Sequence, residues 1–230
     1  VGGSSMKLFC DSADLATMDA VASQVYGYTT NPTLMRAAGV THYEAFVEEC
    51  VARFPNHSLS FEVIADELNA IRYQARKLAS WGPIFVKVPV TTTKGISTAD
   101  LVDDLTADGI RVNVTAVFTA SQVCEFNEAL SDRAECYLSI FAGRIADAGF
   151  DPAFLVRQAR MEAAENVSIL WASAREAFNI KHAHDAGADI ITLSPDLLEK
   201  HTRWGRDLTE FSQATVQQFY DDAQAAGLSL

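Results

Sequence analysis

The run Phe85-Val86-Lys87-Val88-Pro89-Val90 sets one lysine among five apolar residues. On a strand packed on both faces, that lysine has to point into the interior. Desolvation disfavours an ammonium ion and lowers an amine's pKa. This is how a protein makes a lysine nucleophilic enough at neutral pH to form a Schiff base with a ketone. The same run also reads as an edge strand whose lysine head reaches solvent along its aliphatic stem. Glu62, inside Leu59-Ser60-Phe61-Glu62-Val63-Ile64, raises the same question, since a carboxylate in an apolar run needs a partner as much as Lys87 does.

Chemically capable residues close most of the other strand-like runs: Asp11, Thr29 with Asn31, Asn113 with Thr115, Ser139, and Ser173 with Arg175. Each has a plain structural use as well. Asp11-Ser12 suits a helix cap, Asn31-Pro32 initiates a turn, and Thr115 is a β-branched strand residue. Their recurrence after nearly every strand carries more weight than any one of them. Arg144, after Ser139-Ile140-Phe141-Ala142-Gly143, and Arg175, at the opening of an expected helix, suit a phosphate, because guanidinium offers paired donors and late barrel loops commonly hold phosphate. In so acidic a chain both arginines also have carboxylates to pair with.

The elements that must position these residues alternate along the chain. Strands are expected at Lys7–Asp11, Tyr28–Thr30, Leu59–Ile64, Phe85–Val90, Val112–Val117, Cys136–Phe141, Ser168–Ala172 and Ile190–Leu193. Helices are expected at His42–Phe54, Asp66–Ser80, Ser97–Asp108, Ala120–Leu130, Pro152–Glu165 and Ala174–Ala186, with a last one over Leu208–Ala226 that carries Phe211, Phe219 and Tyr220. Ser97 with Asp100 resembles a capping arrangement. Gly109, Gly149 and Gly187 fall where helices should end. The pattern is α/β and points to a (β/α)8 TIM barrel, a single domain over residues 6–230 with a C-terminal helix. A doubly wound open sheet has the same strand count. Val1–Ser5, ahead of Met6, reads as an expression remnant outside the domain.

The 230 residues carry a formal charge of −12, which argues against nucleic acid and anionic membrane as partners, both of which need clustered Lys and Arg. Cys10, Cys50, Cys124 and Cys136 are scattered without a close pair, so no disulfide framework or zinc site is indicated and a cytoplasmic setting is expected. No run approaches the roughly 18 apolar residues of a membrane span. His182 and His184, two apart on an expected helix, do not share a face, and no metal site is expected.

Leu8-Phe9-Cys10-Asp11-Ser12, Thr29-Thr30-Asn31-Pro32-Thr33-Leu34, Val86-Lys87-Val88-Pro89, Asn113-Val114-Thr115, Ser139-Ile140-Phe141-Ala142-Gly143-Arg144 and Ala172-Ser173-Ala174-Arg175 stand in one order along the chain. Together they resemble the transaldolase family, which includes transaldolase and fructose-6-phosphate aldolase. The resemblance implies a Schiff-base enzyme without a cofactor, acting on sugar phosphates, and a homo-oligomeric ring formed through the C-terminal helix. It implies that Lys87 forms the imine and that Asp11 takes and returns the proton of the hydroxyl whose carbon–carbon bond breaks. Glu62 and Thr115 would hold the water of imine formation and hydrolysis. Asn31 and Ser139, with Thr29 nearby, would orient a dihydroxyacetone portion, and Arg144, Ser173 and Arg175 would cradle phosphate.

Transaldolases are expected to carry the equivalents of Glu62 and Phe141, whereas the aldolases carry Gln and Tyr there, so the resemblance points to a transferase. Release of free dihydroxyacetone and a sugar-phosphate-binding barrel without activity are the rival readings; intact Lys87, Asp11 and Glu62 argue against the second. The chain departs from the family pattern at Ile140 (usually proline), at Ala174 (usually phenylalanine), at Trp171, which is expected to crowd the phosphate region, and in a longer segment from Val90 to Ser97.

Overall fold

The computed structural model describes residues 5–130 and 132–230, so of the expected remnant Val1–Ser5 only Ser5 lies among the described residues. The strands are β1 Lys7–Asp11, β2 Gly27–Thr29, β3 Ser58–Glu62, β4 Phe85–Pro89, β5 Val112–Val117, β6 Cys136–Ile140, β7 Val167–Trp171 and β8 Ile190–Leu193. All pair in parallel in sequence order, and β1 closes on β8, with Lys7 opposite Ile190 and Cys10 opposite Leu193. The fold is therefore a closed (β/α)8 barrel and not an open sheet. Closure removes both sheet edges, so Lys87 on β4 has no edge to escape from.

The helices are α1 Leu15–Val21, α2 Pro32–Ala37, α3 Tyr43–Arg53, α4 Leu68–Ala79, α5 Ala99–Ala107, α6 Ala120–Leu130, α7 Ala142–Asp147, α8 Pro152–Glu162, α9 Asn179–Ala186, α10 Pro195–Thr202 and α11 Leu208–Ala225. The long ones bury one stripe: Ile71, Ala75 and Leu78 of α4, Leu101, Val102 and Leu105 of α5. These belong to a continuous apolar layer with Val86, Val88, Val112, Val114, Leu138, Ile140, Ile169, Ile191 and Leu193. The opposite strand face holds a second, smaller cluster of Phe9, Phe85, Tyr137, Leu170, Ala172 and Ile190. Here the Phe85 and Tyr137 rings stack at 4.0 Å and Phe9 meets Tyr137 edge-on at 5.9 Å. Strand alternation puts Asp11, Lys87 and Ser139 on the same face as these aromatics, one pleat further along.

Two expectations are corrected. The helix placed from Ala174 begins at Asn179. Ser173 sits in the left-handed region (φ 60°), and Asn179 Oδ1 accepts from the backbone N–H groups of Arg175 and Glu176 at 2.8 and 3.1 Å, so residues 174–178 form a held loop. The cap of α5 is Thr98, without a side-chain bond. Ser97 instead accepts from Ala99 N–H at 3.1 Å and donates to Glu125 at 2.6 Å. The longer segment after Pro89 folds back on itself, with Thr91 bridging Ser97. Asp66 pins it by accepting from Thr93 N–H at 2.7 Å. Gly187 does end its helix as expected, left-handed at φ 87°, its N–H directed at the carbonyls of Ala183 and His184.

Residues up to Leu198 form one compact unit and Glu199–Leu230 a second. In the second, Asp207 caps α11 by accepting from Thr209 and Glu210 N–H, and the Arg206 guanidinium lies 3.8 Å from the centre of the Phe211 ring. No residue of α11 is buried, and Phe211, Phe219 and Tyr220 are all exposed.

Candidate active site

At the C-terminal ends of the strands, a cleft of about 260 Å³ is lined by Asp11, Thr29, Asn31, Lys87, Thr115, Ser139, Phe141, Arg144, Ser173 and Arg175, joined by Leu170, Ala172, Ala174, Thr192 and Ser194. This is the end at which barrels carry their chemistry. Lys87 is 6% exposed. Its Nζ donates to the carbonyl of Thr30 at 2.7 Å and lies 3.8 Å from Glu62 Oε1. The pairing register sets Glu62 directly beside Lys87 on the next strand. Glu62 itself lines a separate, largely apolar groove with Tyr43, Ile64, Tyr73 and Trp81, so it reaches the cleft through the lysine.

Burial pushes the Asp11 carboxyl above its ordinary range, while the Lys87 charge and a hydrogen bond from Thr29 hold it back. Glu62 is raised in the same way, by burial first, against the pull of Lys87 and with the repulsion of Asp11 added. Two largely buried carboxyl groups thus share one lysine, the kind of arrangement that suits groups that pass protons.

Below them the polar side chains are tied together. Ser139 donates to Asn113 Oδ1 at 2.6 Å, and Asn113 Nδ2 donates to Ser60 at 3.1 Å. Thr29 donates to Asp11 at 2.9 Å. Asn31 serves its cap role, accepting from Leu34 N–H at 2.8 Å while still facing the cleft. Thr115 Oγ1 and Ser173 Oγ are buried without a protein partner, so they are the two hydroxyls still free to bind something else. Just after Thr115, β5 breaks register, with Ala116 in the left-handed region at φ 63°. Such a bulge re-aims its neighbouring side chains.

Arg175 pairs with Asp147, through Nε at 3.0 Å and Nη2 at 2.7 Å. Arg144 makes no ion pair among the described residues and sits 5.9 Å from the centre of the Phe141 ring. Trp171 does not crowd this region. It is buried on the far side of β7, near-parallel to His182 at 6.5 Å, and lines another cavity. The first turn of α7, which carries Arg144, meets the loop carrying Ser173 backbone to backbone: a Cβ on Gly143 would stand 1.5 Å from the Ser173 carbonyl oxygen. Gly143→Ala should therefore cost about 3 kcal/mol, as severe overpacking does, and denaturant unfolding against the wild type checks it; an unchanged midpoint would mean the helix and the loop part freely.

Thr192, Ser194 and the Thr30 carbonyl were not singled out by their sequence context. The rule that found the others, a polar residue closing each strand, applies equally to Ile190-Ile191-Thr192-Leu193-Ser194.

The family model described as Transaldolase/Fructose-6-phosphate aldolase matches residues 8–230. A protein of Listeria monocytogenes named "Probable transaldolase 2" is 34% identical over 212 residues, covering 89% of this chain and 91% of that one. A "Probable transaldolase" of Phenylobacterium zucineum is 33% identical over 232 residues, covering 98% and 100%. Among solved structures, 3-hexulose-6-phosphate synthase from Salmonella typhimurium superposes with a TM-score of 0.59 at 15% identity, covering 82% of this chain and 89% of that one, a likeness of fold alone. With a near-complete family match, relatives of a third identity over their whole length, and a buried lysine between two carboxylates inside a closed barrel, the chain belongs to the transaldolase/fructose-6-phosphate aldolase family.

Proposed function

We propose that the protein is a Schiff-base transaldolase that moves a dihydroxyacetone unit from a ketose phosphate to an aldose phosphate. The observation that carries this is Lys87 Nζ, sealed in the barrel beside Glu62 and lining one cleft with Asp11. Lys87 adds to the ketone carbon of the donor, and loss of water leaves an iminium. Asp11 takes the proton of the hydroxyl two carbons from the iminium carbon, the bond from that hydroxyl's carbon to the carbon next to the iminium breaks, and its electron pair moves toward the iminium to give an enamine as an aldehyde leaves. The enamine then attacks the acceptor aldehyde, Asp11 returns its proton to the new alkoxide, and water releases the product. Glu62 and Thr115, whose hydroxyl has no protein partner, serve the water steps. Asn31, Ser139 and Thr29 line the donor's end, and Arg144, Ser173 and Arg175 the phosphate's.

Transfer is preferred to free release because Phe141 offers no phenolic hydroxyl to protonate the enamine, and Glu62 stands where the aldolases carry Gln. Fructose 6-phosphate alone should give at most a single burst of glyceraldehyde 3-phosphate, with sustained turnover only once erythrose 4-phosphate is added. Phe141→Tyr should raise acceptor-independent release. Repeated turnover from donor alone in the wild-type protein, with dihydroxyacetone accumulating, makes the aldolase reading the better one.

The protein is taken to work as one domain over residues 6–230 in a homo-oligomer, a reading supported by the exposed aromatics of α11. No helix among the described residues is long and apolar enough to cross a membrane. A cytoplasmic setting is proposed from the free cysteines, of which Cys10, Cys50 and Cys136 are buried.

A further inference from the structure

Thr192 of β8 lies 2.6 Å, oxygen to oxygen, from Thr29 of β2, and both residues are buried, 5% and 3% exposed. Thr29 Oγ1 also donates to Asp11 Oδ1 at 2.9 Å. A hydroxyl has one hydrogen. Since Thr29 gives its hydrogen to Asp11, the hydrogen in the Thr192–Thr29 contact must come from Thr192. The chain of donors therefore runs one way, from Thr192 to Thr29 to Asp11 Oδ1. Its members sit on three consecutive strands of the closed barrel, because β1 pairs with both β8 and β2.

We propose that Thr192 is a positioning residue for Asp11, acting through Thr29: it locks the Thr29 hydroxyl as a donor to Oδ1 and so leaves Oδ2 as the oxygen that takes the substrate's proton. The inference rests on the reading of Asp11 as the base. Without Thr192 the Thr29 hydroxyl loses the bond that polarises it and the reason to point at Asp11, so the carboxylate is less stabilised and holds its proton to higher pH. The charged and titratable groups facing Asp11 are Lys87 from β4 and Glu62 from β3, with Arg144 and Arg175 lining the same cleft, while its strand neighbour Cys10 points to the opposite face. Substituting Thr192 alters none of them, so a shift reads the hydroxyl chain.

The test is a carboxyl ¹³C NMR titration of the protein labelled at aspartate, with the Asp11 signal identified by its loss in Asp11→Asn. Thr192→Val should raise the Asp11 midpoint by about 0.5 pH unit, a threefold change in proton affinity, and Thr192→Ser should restore it. Thr29→Val should raise it further, and adding Thr192→Val to Thr29→Val should change nothing more, because the residue acts only through Thr29. Thr192→Ala carries the same test if the valine variant folds poorly. A midpoint unmoved in the folded variant, or additive shifts in the double variant, overturns the proposal. The acid limb of kcat/KM, measured in parallel, should move with the NMR midpoint. An NMR shift with a stationary limb upholds the hydroxyl chain and removes Asp11 from the base role.

Discussion

Lys87→Met should lower turnover of a ketose phosphate by about 10⁵-fold, on the scale seen when a covalent nucleophile is removed. Treatment with fructose 6-phosphate and borohydride, which should add a dihydroxyacetone-sized mass to the wild-type peptide containing Lys87, should leave the variant unlabelled. Methionine keeps the length and apolar stem of the side chain, which is 6% exposed, so the barrel should still close around it. Asp11 and Glu62 lose the charge that now holds their carboxyl groups down, and both should then stay protonated to higher pH, which spares the interior a pair of unpaired anions. Lys87 is the one lysine in the wall of the cleft, so no neighbour is placed to substitute. Labelling of the wild type at a different lysine, or none with any ketose tried, would sink the imine mechanism.

Asp11→Asn should lower kcat by about 10³-fold, within the usual reach of general acid–base catalysis, and should change what borohydride traps. Asparagine still permits attack by Lys87 but cannot accept the hydroxyl proton, so the adduct should carry the mass of the intact ketose phosphate in place of the three-carbon unit. Stability should move the opposite way from activity. The folded-state pKa of Asp11 is raised, so between the ordinary carboxylate range and that raised value the folded chain binds more protons than the unfolded one. Stability of the wild type is therefore lost as pH rises through that interval and stays lower above it. The asparagine variant is free of this term. It should be the more stable protein at pH 7 by denaturant unfolding, with the advantage fading as pH falls to the unfolded carboxylate range. A variant less stable at pH 7 and no more stable relative to the wild type than at pH 4 would show that burial does not dominate at Asp11.

Most strands were legible because a strand covered on both faces reads as a short continuous apolar run with turn residues at its ends. The short helices α1, α2, α7 and α10, of six to eight residues, span too few turns to show a period. Residues 174–178 misled for the converse reason. Ala174, Arg175, Glu176 and Ala177 are good helix formers, but the left-handed Ser173 and the Asn179 side chain, which takes the N–H groups a helix start would leave open, hold them in a loop. Trp171 is close to Ser173 in sequence and so is expected beside the phosphate region, but alternation along β7 sends Leu170 and Ala172 inward and Trp171 out.

By itself the sequence determined the order of the strands and the longer helices, the anomaly of Lys87 and Glu62 in apolar runs, and the polar residues that close the strands. These follow from local composition and period, which act over a few residues. Only the tertiary structure decided that β1 meets β8, that the Thr30 carbonyl receives the lysine, that Arg175 is held by Asp147, and that Thr192 stands behind Thr29 and Asp11. Thr29 and Thr192 are 163 residues apart in the chain. A hydrogen bond between them depends on barrel closure and on register summed over the strand pairs. One residue of slip would turn either side chain to the opposite face, and no local pattern encodes that sum.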